Sequence, residues 1–98
     1  MTAEQIINDI DAHLKLSGKQ YYSEFYIGIT KNIESRLFGD HNVSKDKSWW
    51  IYRTADSAKI ARDVEGYYQQ KGMRGFNGGG DDESKIVYCY VITSTTLE

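Results

Sequence analysis

Three polar side chains, far apart along the chain, carry the functional groups that hydrolysis of a phosphodiester requires. They are Tyr26, in an aromatic segment, and Arg36 and Glu65, in segments with helical periodicity. The reaction needs an activated water, a cation that neutralises charge on the phosphate, and an acid for the leaving oxygen. A carboxylate such as that of Glu65 suits Mg²⁺, which accepts few protein ligands and keeps several waters.

The two other side chains suit the phosphate and the proton transfers. The planar fork of donors on Arg36 matches a phosphate group. A phenol ordinarily ionises at a pKa of about 10, so Tyr26 would activate a water only if a metal ion and Arg36 favoured its charged form. Each residue alone also has a plain structural explanation: a strand aromatic, a solvated helix arginine, a surface carboxylate. Their combination favours a functional site.

Residues 25–37 read Phe-Tyr-Ile-Gly-Ile-Thr-Lys-Asn-Ile-Glu-Ser-Arg-Leu, and this segment resembles the GIY-YIG nuclease family. In that family a strand carrying Tyr-Ile-Gly leads into a helix whose Arg falls ten residues beyond the Tyr, which is the separation of Tyr26 and Arg36. A later helix has one central acidic residue, and the helix around Glu65 is similar to it. The likeness covers about residues 21–80. It implies a metal-dependent endonuclease that hydrolyses DNA, with a single Mg²⁺ or Mn²⁺ at Glu65.

The second tyrosine of the family has no obvious counterpart. The first family motif, Gly-Ile-Tyr, lies on a strand shortly before Tyr-Ile-Gly, and it is absent there. Tyr21 or Tyr22 would supply the phenol from a shortened strand, or Tyr88 would supply it if the C-terminal strand lies beside that of Tyr26. We favour Tyr22, which shares a face with Tyr26 only if the strand runs without a bulge.

A histidine near the arginine is a further catalytic candidate. The family often places a His four residues after the Arg, whereas His41 follows Arg36 by five. Gly39 would absorb the extra residue by ending the helix early. His41 would then hydrogen-bond the phosphate or move a proton. A loop histidine that only caps the helix is the alternative.

Other residues are candidates for contacts with DNA. Asn77 matches a position where the family commonly has Asn, and it would orient the phosphate. A purely structural role in a turn explains this Asn equally well. Lys31 and Arg62 are the first candidates among several basic residues whose contacts with DNA phosphates would give salt-sensitive, sequence-independent binding. The others are Lys45, Lys47, Arg53, Lys71 and Arg74. Of Trp49 and Trp50, at least one is expected in the core, and an exposed one would stack on a base.

Composition gives weaker guidance. Twelve Lys and Arg against fourteen Asp and Glu give a net charge of −2, which is unusual for a nucleic-acid binder unless the basic residues share one face. The alternative is therefore a catalytically inactive GIY-YIG-like module that binds nucleic acid or protein.

Cys89, the only cysteine in the sequence, lies in an apolar run, and we expect it to be a core residue. No signal peptide or membrane-spanning run is visible, so we expect a cytoplasmic protein. A domain this small has little surface for reading a DNA sequence, so we expect that a protein partner supplies specificity or that specificity is weak.

Hydrophobic periodicity predicts the elements that must position these side chains. We expect three helices: one at 3–16, a second that begins after a cap at Thr30 or Asn32, and a third at 56–71 with Thr54 or Asp56 as its cap. We expect strands at 24–30, 49–53 and 85–93. This order predicts a small α+β fold with a mainly antiparallel sheet of three or four strands flanked by helices. We expect a single domain over 1–98, comprising an N-terminal helix (1–18), a catalytic core (19–80) and a C-terminal strand (85–94).

Overall fold

The computed structural model describes residues 1–75 and 82–98 and confirms the predicted α+β class. Two α-helices and a short π-helix accompany a three-stranded antiparallel sheet. The elements are α1 (Ala3–Leu14), a 3₁₀ turn (Tyr22–Glu24), β1 (Phe25–Thr30), the π-helix (Glu34–Asp40), β2 (Trp50–Thr54), α2 (Ala58–Lys71) and β3 (Ile86–Val91). Among these residues, no helix is long and apolar enough to cross a bilayer.

The C-terminal strand lies in the middle of the sheet. The strand order is β1-β3-β2, and both neighbours run antiparallel to β3. In this register Tyr90 lies opposite Tyr26, and Tyr88 lies opposite Gly28. Because β1 has β3 as its partner, the neighbour of the Tyr-Ile-Gly strand comes from the far end of the chain.

Both α-helices cover one face of the sheet, called here the helical face. Strand side chains alternate between faces, so Val87, Cys89 and Val91 point to this side and are buried. They pack with apolar side chains of α1 and α2 in one cluster, as the hydrophobic effect favours. Cys89 is fully buried there, which agrees with its interpretation as a core residue.

Two local predictions near the helices are wrong. Tyr21 and Tyr22 do not extend β1, because residues 22–24 form the 3₁₀ turn. Neither Thr54 nor Asp56 caps α2; the cap is Ser57, whose hydroxyl accepts a hydrogen bond from the Ile60 amide at 3.2 Å. The Asp56 carboxylate instead pairs with the N-terminal ammonium at 2.7 Å, a long-range contact that helical periodicity does not report.

The segment after β1 forms a π-helix, and this changes the explanation of the spacing between Arg36 and His41. The His41 amide donates to the Arg36 carbonyl at 2.9 Å, a bond that spans five residues instead of four. The helix continues through Gly39 to Asp40, so the prediction that Gly39 ends it is wrong. A π-turn holds one more residue than an α-turn, and it accommodates the extra residue before His41.

Candidate active site

Three tyrosines form a stack on the sheet face opposite the α-helices, called here the tyrosine face. Tyr26 from β1 and Tyr88 and Tyr90 from β3 point to this side by strand alternation. The ring centroids of Tyr26 and Tyr90 are 5.2 Å apart, and the planes of Tyr88 and Tyr90 differ by 2°. All three side chains are buried. The strand pairing therefore gathers three phenols in one place.

His41 is buried against this stack and connects to Tyr88. Its Nε2 lies 2.7 Å from the Tyr88 hydroxyl, and its Nδ1 lies 2.6 Å from the carbonyl oxygen of Leu97. A carbonyl only accepts hydrogen bonds, so Nδ1 carries the hydrogen and Nε2 is left to accept the Tyr88 proton. Burial lowers the pKa of His41, which keeps the ring neutral. The pair is thus arranged as a phenol donating to a neutral imidazole.

Gly28 makes room for this pair. The Tyr88 hydroxyl and the ring carbon that bears it occupy the place that a Cβ on residue 28 would fill. Tyr88 consequently leans across β1 and reaches His41 beyond it. The glycine of the Tyr-Ile-Gly segment is therefore required here for close approach of a side chain, and not for an unusual backbone conformation.

Glu65 lies on the buried side of α2, and its side chain is 7% exposed. Within residues 1–75 and 82–98, no donor is hydrogen-bonded to its carboxylate. Burial raises the pKa of Glu65 from an ordinary 4.5 to about 7, and the charge of Arg62 partly opposes this shift. Asp63, two residues away, is exposed and pairs with Lys59 at 3.1 Å. Glu65 thus differs from an ordinary surface carboxylate of this helix.

All three residues singled out in the sequence influence the electrostatics of Tyr88. Burial is the largest cause of the raised pKa of the Tyr88 phenol, followed by the neighbouring Tyr26. The positive charge of Arg36 lowers that pKa, and the negative charge of Glu65 raises it, so both groups act on this phenol. Arg36 is half exposed and lies 3.8 Å from Asp40, a loose surface pair that leaves its guanidinium reachable by a ligand.

Tyr22 does not share the face of Tyr26, which corrects the prediction that these two phenols lie side by side. Tyr22 is 38% exposed and lines a separate surface pocket with Tyr21 and Lys19. Its position follows from the 3₁₀ turn, which interrupts strand alternation before Phe25. Tyr88 takes the place foreseen for it.

Sequence reasoning also missed Tyr90, whose hydroxyl lies 2.9 Å from His41 Nδ1 and donates to the Leu97 carbonyl at 3.3 Å. The alternation of Tyr88 and Tyr90 with the apolar residues of the last strand was the available signal. It did not reveal which strand would lie beside them.

Four of the seven basic residues predicted to bind DNA pair with acidic side chains in the structure. Lys31 lies 3.9 Å from Glu83, and Arg62 is exposed beside Glu65. Three further basic side chains pair with acids at 2.9–3.0 Å, namely Lys45 with Glu34, Arg53 with Asp9, and Arg74 with Glu98. Asn77 lies outside the described residues. These pairs offset part of the positive charge that would attract a DNA backbone.

Within residues 1–75 and 82–98, the candidate site offers a metal ion one carboxylate, that of Glu65. In the part of the chain that the structure describes, no three His, Cys, Asp or Glu side chains are grouped to hold a metal by themselves. Glu65 nevertheless fits a weakly held Mg²⁺ or Mn²⁺, because its buried carboxylate has no described hydrogen-bond donor and a cation would offset the cost of its burial.

Comparison with protein-family models, with curated proteins and with solved structures finds no match to this chain. The resemblance to the GIY-YIG family therefore rests on the sequence motifs alone.

Proposed function

We propose that this protein is a metal-dependent endonuclease that hydrolyses DNA phosphodiester bonds, with a GIY-YIG-type site whose second tyrosine comes from the C-terminal strand. One observation carries the proposal: a buried carboxylate without a described donor, Glu65, and a reachable guanidinium, Arg36, act on the same phenol, which is hydrogen-bonded to a neutral histidine. Perturbed titratable groups gathered in this way are typical of catalytic sites.

The half-exposed Arg36 would bind the phosphate and hold it beside the tyrosine face. Its guanidinium donates in a fixed fork that matches two phosphate oxygens. The competing pair with Asp40 is exposed and at 3.8 Å, so it contributes little and is easily exchanged for a phosphate. A Mg²⁺ or Mn²⁺ ion at Glu65, when bound, would stabilise negative charge on the same phosphate.

The Tyr88–His41 pair would activate the attacking water. The phenol oxygen takes a proton from the water while its own proton moves to Nε2 of His41, so the tyrosine remains neutral and the histidine becomes charged. A neutral imidazole is needed for this step, and the lowered pKa of His41 supplies it. Tyr26, stacked beside this pair, is the phenol available to protonate the leaving oxygen.

The test is nicking of supercoiled plasmid by the purified protein in Mg²⁺. Glu65→Ala is expected to abolish nicking, because it removes the cation ligand. Asp63→Ala is the matched control: it removes an exposed carboxylate of the same helix and should leave the rate unchanged. Equal nicking by wild type and Glu65→Ala would refute the assignment of the site.

A second candidate is a module that binds nucleic acid without cutting it. The absence of Gly-Ile-Tyr before the Tyr26 strand favours it, as does the absence of a group of metal-ligating side chains among the described residues, because both features concern turnover and not binding. Binding of DNA that persists in EDTA, together with absence of nicking in either Mg²⁺ or Mn²⁺, would support this alternative over the endonuclease.

A further inference from the structure

Two aromatic side chains of β2 extend the tyrosine face beyond the candidate site. Trp50 lies opposite Tyr90 and Tyr52 lies opposite Tyr88 in the antiparallel register, and strand alternation places both on the same face as their partners. The rings of Trp50 and Tyr52 are nearly parallel, with planes 10° apart and centroids separated by 6.0 Å. An aromatic pair thus adjoins the proposed catalytic phenol.

Tyr52 is the open member of this pair, and Trp50 is the fixed one. The Trp50 Nε1 donates to the Lys45 carbonyl at 3.2 Å, and the edge of its ring meets Phe38 with centroids 5.1 Å apart. Tyr52 stays 39% exposed. A ring that is supported on one side and solvated on the other is a suitable surface for an additional flat group.

The space beside Tyr52 is next to the site and is not filled by its cross-strand neighbour. Tyr88 leans over Gly28, toward β1 and away from β2. In an antiparallel sheet, directly opposed side chains start about 5 Å apart, which is less than the reach of one nucleotide. A base attached to a phosphate beside Tyr88 therefore comes within stacking distance of Tyr52.

Electrostatics and stacking together indicate which form of DNA fits. Four of the seven candidate DNA-binding cations pair with acids, which leaves fewer charges for contacts with the backbone of a duplex. Stacking on an aromatic ring is tolerant of sequence and needs an exposed base face, which an unpaired strand offers and the interior of a duplex does not. We infer that Tyr52, supported by Trp50, stacks a base next to the bound phosphate and makes unpaired DNA the preferred substrate. This inference rests on the proposed function for the position of the phosphate.

The experiment measures binding of fluorescein-labelled oligothymidylate, and of a duplex of equal length, by anisotropy at low salt in EDTA. The single strand should bind more tightly than the duplex. Tyr52→Ala should weaken single-strand binding by about 5- to 100-fold, and Tyr52→Phe should retain it. Tyr67→Ala is the control, because Tyr67 is 37% exposed on α2 and has a lysine over its ring. Thermal melting confirms that each variant is folded.

The outcomes separate this inference from the endonuclease proposal. Unchanged single-strand binding by Tyr52→Ala, or an equal loss in Tyr67→Ala, would overturn the stacking role even if plasmid is nicked. A Tyr52-dependent preference for single strands in a protein that never cuts DNA in Mg²⁺ or Mn²⁺ would keep the stacking role and remove the endonuclease. Tighter binding of the duplex than of the single strand also overturns the inference.

Discussion

The two faces of β3 are buried to a similar degree but have different chemistry. Val87 and Cys89 meet α1 and α2 through apolar contacts, whereas Tyr88 and Tyr90 direct hydroxyl groups at His41. Burial on the helical face is mostly apolar, and the buried Tyr68 hydroxyl there donates to the Asp11 carboxylate at 2.7 Å. On the tyrosine face each hydroxyl is desolvated, so it must find a partner. The sheet therefore separates a face that stabilises the fold from a face that orients polar groups.

Glu65 is an exception to this separation of the two faces of the sheet. It belongs to α2, on the helical side, and is the only carboxylate below one-tenth exposure in the described part of the chain. Its charge nevertheless acts on Tyr88 of the opposite face. Its carboxylate has no donor among the described residues, and burial of a carboxylate in this way lowers stability.

The largest expected effect comes from Tyr88→Phe, which keeps the ring and removes the hydroxyl. We expect the single-turnover rate of DNA cleavage to fall by about 100-fold or more, because the proton path to His41 is lost. Tyr22→Phe makes the same chemical change outside the tyrosine face and should cleave at the wild-type rate. Loss of activity in Tyr22→Phe with retention in Tyr88→Phe would reverse the assignment of the second phenol.

Glu65→Gln tests the carboxylate by stability. The folded pKa of about 7 exceeds the ordinary 4.5, so the folded state binds the proton more tightly and wild-type stability falls as pH rises from about 4.5 to 7. The neutral amide avoids this loss, and Glu65→Gln should be more stable than wild type by about 2 kcal/mol at pH 8. At pH 4 the two should be equal. Urea unfolding at both pH values measures the difference.

A metal titration completes this test. Mn²⁺ at pH 8 should raise the melting temperature of wild type, because an ion bound only by the folded state stabilises it. The same titration should leave Glu65→Gln unchanged. Identical shifts in both proteins would show that Mn²⁺ binds elsewhere.

A smaller effect is expected from Gly28→Ala. The new methyl group would meet the Tyr88 hydroxyl, which is fixed by its bond to His41, so we expect a loss of about 1–2 kcal/mol in unfolding free energy and slower cleavage. Gly66→Ala, inside α2 with no atom near its added Cβ, should instead stabilise by about 1 kcal/mol. An unchanged unfolding free energy and cleavage rate in Gly28→Ala would show that Tyr88 moves freely to make room for the methyl group.

Local pattern alone determined most elements of this protein and the residue types of its candidate site. The helical stripe of residues 3–16 and the strands near Tyr26, Ile51 and Cys89 were predictable because periodicity records which side of an element is buried. The separation of Tyr26 from Arg36 was equally visible, as was the burial of Cys89. These features depend on residues close in sequence.

The tertiary structure decided which of those elements became neighbours. Pairing of β1 with β3 brings together residues about sixty positions apart, and it puts Tyr88, and not Tyr22, on the face of Tyr26. The sequence pattern also did not predict three other features: the π-turn before His41, the Ser57 cap, and the pairing of basic side chains with acids. Periodicity says that a strand has a polar side, but strand order depends on contacts between distant segments, which a local pattern does not contain.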